Sequence, residues 1–175
     1  MVNYSYIVPR SEISYEDLGR LKTDAWNLLG ASISSKGENP GNYIIRDILP
    51  QTDLGITSAA NDSWVFSLTA GDNQVVSKKL DDDTHVVFIG VAYPDQSKVV
   101  SKITFARGSA EVLAIYQIQK LYAEREPVGY FKQPVAYSGG DTVTVRFTAT
   151  ADDSTEQLIL LGYVAEPKGK HISGK

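Results

Sequence analysis

His85 and His171 are the side chains of this sequence best suited to bind a metal or to transfer a proton near neutral pH. They lie far apart, and His171 falls in a tail rich in Lys and Gly. Cys is absent, which removes thiol nucleophiles, thiolate metal ligands and disulfides. A metal-binding barrel of the cupin type needs closely spaced His residues. A lone His85 is therefore more typical of a surface or hydrogen-bonded imidazole, and we expect no metal and no cofactor.

Acidic residues offer two other chemistries. Glycoside hydrolysis needs two carboxyl groups about 5 to 9.5 Å apart, and the candidates beside predicted strands are Glu111, Glu124, Glu126 and Glu166. The run Asp81, Asp82 and Asp83 has the oxygen ligands that a hard cation such as calcium prefers. Acids in such positions are also typical of solvated turns, and we favour that interpretation for both sets.

Serine catalysis and phosphate binding find little support. Gly108-Ser109 and Ser138-Gly139 are ordinary turn dipeptides, and His171 in a tail is a poor candidate for their base. Residues 138–141 precede a predicted strand, whereas a phosphate-binding loop leads into a helix. We therefore expect that the chain is not an enzyme.

Aromatic residues suggest a binding platform as an alternative. Seven of them could line a sugar-binding face of a β-sandwich: Trp64, Tyr93, Tyr116, Tyr122, Tyr130, Phe131 and Tyr137. At alternating strand positions such residues are more often part of a core or of a protein interface. We favour the core or interface role, and a carbohydrate-binding or other ligand-binding module remains the alternative function.

The elements that would position these residues are mostly strands. In residues 142–149, Val143, Val145 and Phe147 alternate with polar residues, as in a strand with one buried face. Similar segments predict strands at 43–49, 54–58, 64–69, 74–79, 85–92, 99–106, 111–122, 129–131, 135–137, 142–149 and 157–165. Turn-forming residues separate them, so we expect hairpins. The density of strands predicts an all-β sandwich or barrel of antiparallel strands.

Residues before this body predict an extended arm and a short α-helix. Residues 2–8 alternate up to Pro9, as in an arm that needs a sheet edge for pairing. We expect the arm to add to a neighbour's edge or to cross to a dimer mate. Ser14 is suited to cap a helix that ends near Gly30. Its apolar residues recur at helical spacing: Leu18, Leu21, Ala25 and Leu28.

The sequence thus divides into three parts. Residues 1–42 hold the arm, the helix and a loop that pack on or outside the barrel, and residues 43–167 form the β domain. Residues 168–175 form a flexible basic tail, which we expect to contact an acidic partner or an anionic lipid surface. The net charge is −4, and acids offset the basic residues of the first thirty positions. We therefore expect no direct contact with nucleic acid.

Residues 127–147, followed by 156–169, are similar in layout to a viral jelly-roll domain. The chain resembles the small major coat proteins, built on a single jelly roll, of tailless icosahedral viruses with an internal membrane. Those viruses infect thermophilic bacteria and halophilic archaea. The resemblance covers residues 43–167 as architecture and includes no catalytic motif.

The resemblance implies a single jelly-roll barrel or sandwich with a structural role. It implies a homodimer that assembles with a second, larger coat protein into an icosahedral shell above a membrane. The protein would be found in the virion, after a soluble stage in the host cytoplasm. On this basis we predict an oligomer interface at four residues of the arm and helix: Tyr4, Tyr6, Leu21 and Trp26.

Overall fold

The computed structural model describes residues 3–56, 63–94 and 98–170, which contain twelve strands and three α-helices. The helices are α1 (Tyr15–Ser35), α2 (Pro50–Leu54) and α3 (Gln119–Glu124). The strands are β1 (Asn3–Tyr6), β2 (Val8–Pro9), β3 (Tyr43–Asp47), β4 (Val65–Leu68), β5 (Gly71–Lys79), β6 (His85–Ala92), β7 (Val100–Arg107), β8 (Glu111–Gln117), β9 (Val128–Tyr137), β10 (Thr142–Ala149), β11 (Asp153–Gln157) and β12 (Ile159–Pro167).

Within these ranges the strands form two five-stranded sheets and a two-stranded ribbon of β4 and β11. Sheet 1 has the order β1-β8-β7-β10-β5, and sheet 2 has the order β2-β9-β6-β12-β3. The strands pair antiparallel, except that β1 is parallel to β8. The predicted mostly-β sandwich of antiparallel strands is confirmed.

The core lies between the sheets and contains many aromatic rings. Phe88 of sheet 2 contacts Phe105 of sheet 1 with ring centroids 5.0 Å apart. Tyr116 of sheet 1 stacks on Phe131 of sheet 2 with centroids 4.0 Å apart. Four of the seven aromatic residues considered for a sugar platform are buried, as expected of core residues: Tyr93, Tyr116, Phe131 and Tyr137.

Helix α1 covers the outer face of sheet 2. The hydroxyl of its N-cap, Ser14, accepts a hydrogen bond from the Asp17 amide at 3.0 Å, which confirms the predicted cap. Its buried side chains are Leu18, Leu21, Ala25, Leu29 and Ile33. All of them except Leu18 form a cluster with Val87 and Ile89 of β6 and Ala165 of β12. Strand β6 is therefore buried on both faces, which explains its nearly continuous apolar sequence.

The helix is longer than predicted, because it ends at Ser35 and not at Gly30. Ile33 is only 2% exposed, so the apolar stripe continues a turn beyond the predicted end. Leu28, which the sequence places on this stripe, is 38% exposed. Its place is taken by Leu29, which continues the period of the buried residues.

Strand 111–122 was predicted too long. It ends at Gln117, which pairs with Lys102 of β7, and helix α3 follows. Leu121 is fully buried and lies on that helix. A single helical turn thus brings Leu121 into the core where the pairing with β7 ends.

The predicted strand 54–58 is also wrong at its start, where α2 is found. Pro50 lies in the first turn of that helix, a position that proline favours. The helix ends at Leu54, and its C-cap is Gly55, whose φ of +66° is in the left-handed region. Residues 57–58 lie outside the described residues.

The hairpin prediction is wrong for most of the chain. Within the described ranges only β7 and β8 are consecutive strands that pair with each other. Strands β2 and β3 lie at opposite edges of sheet 2, and the remaining successive strands cross from one sheet to the other or to the ribbon, because their partners come from distant parts of the sequence. The predicted strands 129–131 and 135–137 are parts of β9, and the predicted strand 157–165 is divided at Leu158 between β11 and β12.

The N-terminal arm pairs with strands of its own chain, and its predicted contact with a neighbour stays a prediction. Strand β1 adds to β8 of sheet 1, and β2 pairs with β9 of sheet 2. Ile7, between them, is fully buried, and its amide donates to the Gln117 carbonyl at 3.2 Å. A Cβ at Gly129 would lie 2.5 Å from the Ile7 side chain, so glycine provides the space. The arm thus closes one side of the sandwich.

Candidate docking surface

Trp26 lies on the outer part of α1 and is 52% exposed. Its ring meets Tyr163 of β12 edge to face, with centroids 6.0 Å apart and planes at 75°. Burial, together with the nearby Asp47 and Tyr130, raises the pKa of Tyr163. The Tyr163 hydroxyl is therefore a neutral hydrogen-bonding group at physiological pH.

Strand β3 is an edge of sheet 2, and two adjacent isoleucines are exposed on it. Ile44 is 38% and Ile45 is 41% exposed. Ile45 lies opposite Ala165 and Asp47 lies opposite Tyr163 on β12. Ile45 therefore points to the helix side of the sheet, and Ile44 points to the other face. Exposed apolar edges of this kind are templates for pairing with another chain.

Trp26, Ile45 and Tyr163 form a surface that we call the edge patch. Ile45 and Tyr163 are diagonal neighbours on one face of the β3–β12 pair, a spacing at which large side chains reach one another. Trp26 packs on Tyr163 from the helix. The edge patch therefore joins the outer flank of α1 to the open edge of sheet 2.

An ion cluster holds β3 from its other face. The Arg46 guanidinium donates to both oxygens of Asp53 at 2.7 and 2.8 Å and to both oxygens of Glu166 at 3.0 Å. Asp53 also accepts from the Leu49 amide at 2.6 Å. The hydrogen bonds that Arg46 donates to Asp53 outweigh burial and, with those that it donates to Glu166, raise the pKa of Arg46. The cluster ties β3 to α2 and β12 and sets the single positive charge of Arg46 against two carboxylates.

Strand β5, the edge of sheet 1 on the same side, is polar. Lys78 and Lys79 are exposed near its end, and Gln74 and Ser77 are exposed within it. Lysines on an edge strand oppose pairing with a further strand. Of the two edges on this side, β3 is therefore the apolar one.

The four predicted interface residues have different environments. Trp26 belongs to the edge patch, and Tyr6 on the arm is 61% exposed. Leu21 is only 5% exposed, because it packs beneath α1 against β6, which corrects its assignment to a partner surface. Tyr4 lies in β1, and its side chain lies outside the described residues.

Sequence reasoning missed Ile44 and Ile45. Both fall in a segment correctly predicted as a strand, but no local pattern tells an edge strand from an inner one. The available signal was the absence of alternation, since two apolar residues are adjacent in a strand.

A groove of about 300 Å³ lies between α1 and sheet 2, beside the edge patch. Trp64, Tyr130 and Tyr163 line it together with aliphatic side chains, and Lys22 and Asp47 add opposite charges. Such a lining, mostly apolar with a few polar groups, is typical of small-molecule sites.

The acidic run forms the predicted turn, between β5 and β6, and it binds a lysine of its own chain. The Lys170 ammonium donates to Asp81 at 3.0 Å, to Asp83, and to the Thr84 hydroxyl at 2.9 Å. Against the effect of burial, Asp83 and Asp81 raise the pKa of Lys170 and Lys170 lowers the pKa of Asp83. In the described part of the chain, no three acidic or His side chains are placed to hold a metal ion.

The basic tail is described only at its beginning. The Lys168 amide donates to the Asn42 carbonyl at 2.9 Å, and Lys170 is held as above. Residues 171–175, including His171, lie outside the described residues. Among the described helices, none has the length and apolar character needed to cross a bilayer.

His85 is fully buried at the start of β6. Its Nδ1 accepts from the Gly139 amide at 3.0 Å, so the neutral ring carries its proton on Nε2. That Nε2 has no hydrogen-bond partner among the described residues. Burial, and then the charge of Lys36, lower the pKa of His85. In the cross-strand row, His85 lies opposite Ala165, which lies opposite Ile45 of β3.

No family model and no curated protein matches this sequence. Among solved structures, the chain is similar to a protein of Bacillus endospore appendages, which form a novel family of disulfide-linked pili. The identity is 10%, the similarity covers 72% of this chain and 88% of that chain, and the TM-score is 0.33. A similarity at this level supports no conclusion about function.

Proposed function

We propose that this chain is a structural virion coat protein, without catalytic activity, that associates with itself and builds an icosahedral shell with a second coat protein. The order of its strands is the observation that carries the proposal. That order supports a single jelly roll, an architecture shared by viral capsid domains, lectins and cupins.

Eight of the strands pair as nested couples. Strand β3 pairs with β12, β5 with β10, β6 with β9 and β7 with β8. Each couple encloses the next one along the sequence, as the paired strands of one long hairpin do. Successive couples lie alternately in sheet 2 and in sheet 1, which is the arrangement that results when such a hairpin is rolled into a barrel. Rolling also accounts for the contacts of β12 with β6 and of β10 with β7. The pairing therefore favours a jelly roll over other antiparallel sandwiches.

The exposed apolar residues support an assembly role. Among the described side chains the large ones are Tyr6, Tyr15, Trp26, Leu28, Ile44 and Ile45. Single exposed apolar residues are normal, but contiguous ones mark interaction surfaces, and Trp26 and Ile45 belong to one patch. A shell needs several contacts of about 800 Å² per partner, none of which has to be tight.

The remaining parts of the proposal follow the resemblance to the small coat proteins of membrane-containing viruses. They are a homodimer, a larger jelly-roll partner and a place in the virion above a membrane. A net charge of −4 suits a shell that a bilayer separates from the genome. Because Lys170 is engaged with Asp81 and Asp83, a membrane contact of the tail would fall to residues 171–175.

The oligomeric state tests the proposal. The mass of the purified chain is measured by light scattering after gel filtration, at low and high salt, and concentrated samples are imaged by negative-stain microscopy. We expect dimers or larger species, with ordered assemblies at high concentration. A chain that stays monomeric at every concentration and salt would overturn the proposal.

Ligand binding is a second candidate function, and the groove beside the edge patch favours it. Trp64 and Tyr130 offer ring surfaces to a sugar, and Lys22 and Asp47 offer hydrogen bonds. Calorimetry with a panel of oligosaccharides, with Trp64→Ala as the control, tests this role. A monomer that bound an oligosaccharide and lost it in Trp64→Ala would place the second candidate first.

A further inference from the structure

We infer that strand β3 is the edge to which a second copy of this chain adds, β3 against β3, so that sheet 2 continues across a twofold axis. The inference rests on the proposed function, because it names the edge and the partner that self-association would use. It is carried by the differences among the sheet edges, by the self-complementary sequence of β3 and by the adjoining edge patch.

The other edges of the two sheets are protected. In the described ranges, β1 and β2 form one edge of each sheet and are only 4 and 2 residues long. Strand β5 carries Lys78 and Lys79. Short strands and edge lysines both oppose pairing with another chain. Among the described side chains, β1 exposes one large apolar residue, Tyr6, whereas β3 exposes two adjacent ones, Ile44 and Ile45.

A second copy fits this edge because the strand complements itself. A twofold axis requires antiparallel pairing of identical surfaces. With the axis at Ile45, the two copies of Ile45 face each other, Ile44 faces Arg46, and Tyr43 faces Asp47. No like charges are then opposite, which removes the main electrostatic cost of a cross-strand pair. The Tyr43 hydroxyl can instead donate to Asp47 of the second copy.

The ion cluster explains how Arg46 can lie opposite the apolar Ile44 of the second copy. Its guanidinium already binds Asp53 and Glu166, and the side chain is only 18% exposed. Arg46 therefore presents little free charge at the edge, and its aliphatic part is available to Ile44 of the second copy. The same cluster fixes β3 in place, so little ordering is required when a partner strand arrives.

The edge patch extends the contact beyond the strands. Residues that face each other across an antiparallel pair lie on the same face, so the patches of both copies meet on the helix side of the sheet. Two copies of Trp26 then flank the paired isoleucines. Aromatic residues at the centre of such a contact carry much of the binding energy.

Cysteine cross-linking tests the inference cleanly because the chain has no Cys. Directly opposed residues of antiparallel strands have Cα atoms about 4.5–5.5 Å apart, within the range of about 4.4–6.8 Å that a disulfide allows. Ile45→Cys is oxidised with glutathione, and the dimer is followed on non-reducing gels. The matched control is Ser77→Cys, an exposed position on β5. We expect the Ile45→Cys dimer to form at least tenfold faster than the control dimer.

The outcomes separate the edge from its register and from the proposed function. An Ile45→Cys dimer that forms no faster than the Ser77→Cys dimer would overturn the inference. If the unmodified chain still self-associates in that case, the proposed function survives and another surface is used. If Ile44→Cys cross-links faster than Ile45→Cys, the register centred on Ile45 is wrong. A monomeric unmodified chain would contradict both proposals.

Discussion

The two open sides of the sandwich differ in what covers them. On one side the arm pairs with both sheets, and the buried Ile7 fills the space between β8 and β9. On the other side β3 and β5 end the sheets, and no further strand of the described residues pairs with them. Ile45 is 41% exposed there. Both sides end in edge strands, but the arm side ends in two short strands around a buried apolar residue, whereas the β3 side leaves exposed apolar side chains for a partner.

This difference separates folding from association. Burial of Ile7 contributes about 1.5–3 kcal/mol to the folded chain, whether or not a partner is present. The exposed part of Ile45 contributes only when another surface covers it. Substitutions on the arm side should therefore change the free energy of unfolding, and substitutions in the edge patch should change the dissociation constant of the dimer.

The ion cluster beneath β3 gives the largest expected effect. Arg46→Met would leave Asp53 and Glu166, whose side chains are each 5% exposed, without a counter-charge. We expect the free energy of unfolding in urea to fall by about 3–5 kcal/mol. Such a loss would show that the buried ion cluster, and not the exposed edge of β3, holds this side of the sandwich in place.

Arg107→Met is the matched control, since Arg107 binds Glu111 and Asp141 with its own side chain 39% exposed. Its expected loss is within about 1 kcal/mol. Equal losses in the two variants would contradict the role given to the buried cluster.

Ile7→Ala tests the closed side. Removing a buried isoleucine from the space between the sheets should lower the free energy of unfolding by about 2–5 kcal/mol. Self-association of the folded fraction should not change, because Ile7 has no exposed surface. The neighbouring Tyr6→Ala serves as control, with an expected loss within about 0.5 kcal/mol. A weaker effect of Ile7→Ala than of Tyr6→Ala would show that the arm does not close the sandwich.

Trp26→Ala tests the helix part of the edge patch. The side chain is 52% exposed and contacts Tyr163, so its loss should affect folding little. We expect the dimer dissociation constant to rise about tenfold, equivalent to about 1.4 kcal/mol. Tyr15→Ala, 85% exposed on the same helix, is the control and should leave that constant unchanged. Equal constants for Trp26→Ala and the unmodified chain would remove the helix from the interface.

Acidification should lower the free energy of unfolding through His85, by less than the substitutions of Arg46 and Ile7 above, and destabilise the β3 side of the sandwich. The folded pKa of His85 is lowered, so its stabilising contribution is complete above the unfolded pKa of about 6.5 and is lost as pH falls toward the folded pKa. The slope in that window is at most about 1.4 kcal/mol per pH unit. Protonation also places a donor on Nδ1 against the Gly139 amide. Below pH 6.5, β3 amides should exchange with solvent faster, relative to β5 amides.

His85→Asn lacks this titrating group. Its urea midpoint is compared with that of the unmodified chain at each pH. Glu156 acts in the opposite direction, because burial raises its pKa and its protonation at low pH favours the folded state. Both proteins contain Glu156, so the difference between their urea midpoints isolates His85. A difference that does not change between pH 7.5 and 5.5 would contradict the assignment.

Local pattern predicted most of the strands but not their pairing. Alternation in 142–149 and the continuous apolar run in 85–92 predict β10 and β6 correctly, because burial sets both patterns directly. The predicted hairpins failed because partners such as β3 and β12 are brought together only by the whole roll. Helix α3 was missed for a similar reason, since the end of β7 decides where β8 stops.

The residues of the docking surface also differ in whether local sequence could predict them. Trp26 could be singled out as a large residue on the predicted helix, whereas Leu21 on the same helix is buried by β6. Ile44 and Ile45 gained significance only from the position of β3 at the edge of sheet 2. Whether a strand lies at an edge depends on the pairing of the whole sheet, so residue types within the strand do not predict it.

Self-association of two matched lysine variants shows directly whether β3 is the docking edge. Ile45→Lys places a charge on the apolar edge, and Ser77→Lys places one on the polar edge of β5. Sedimentation velocity at equal concentrations should show the unmodified chain and Ser77→Lys as dimers or larger species, and Ile45→Lys as a folded monomer. If Ile45→Lys associates as strongly as the unmodified chain, β3 is not the docking edge.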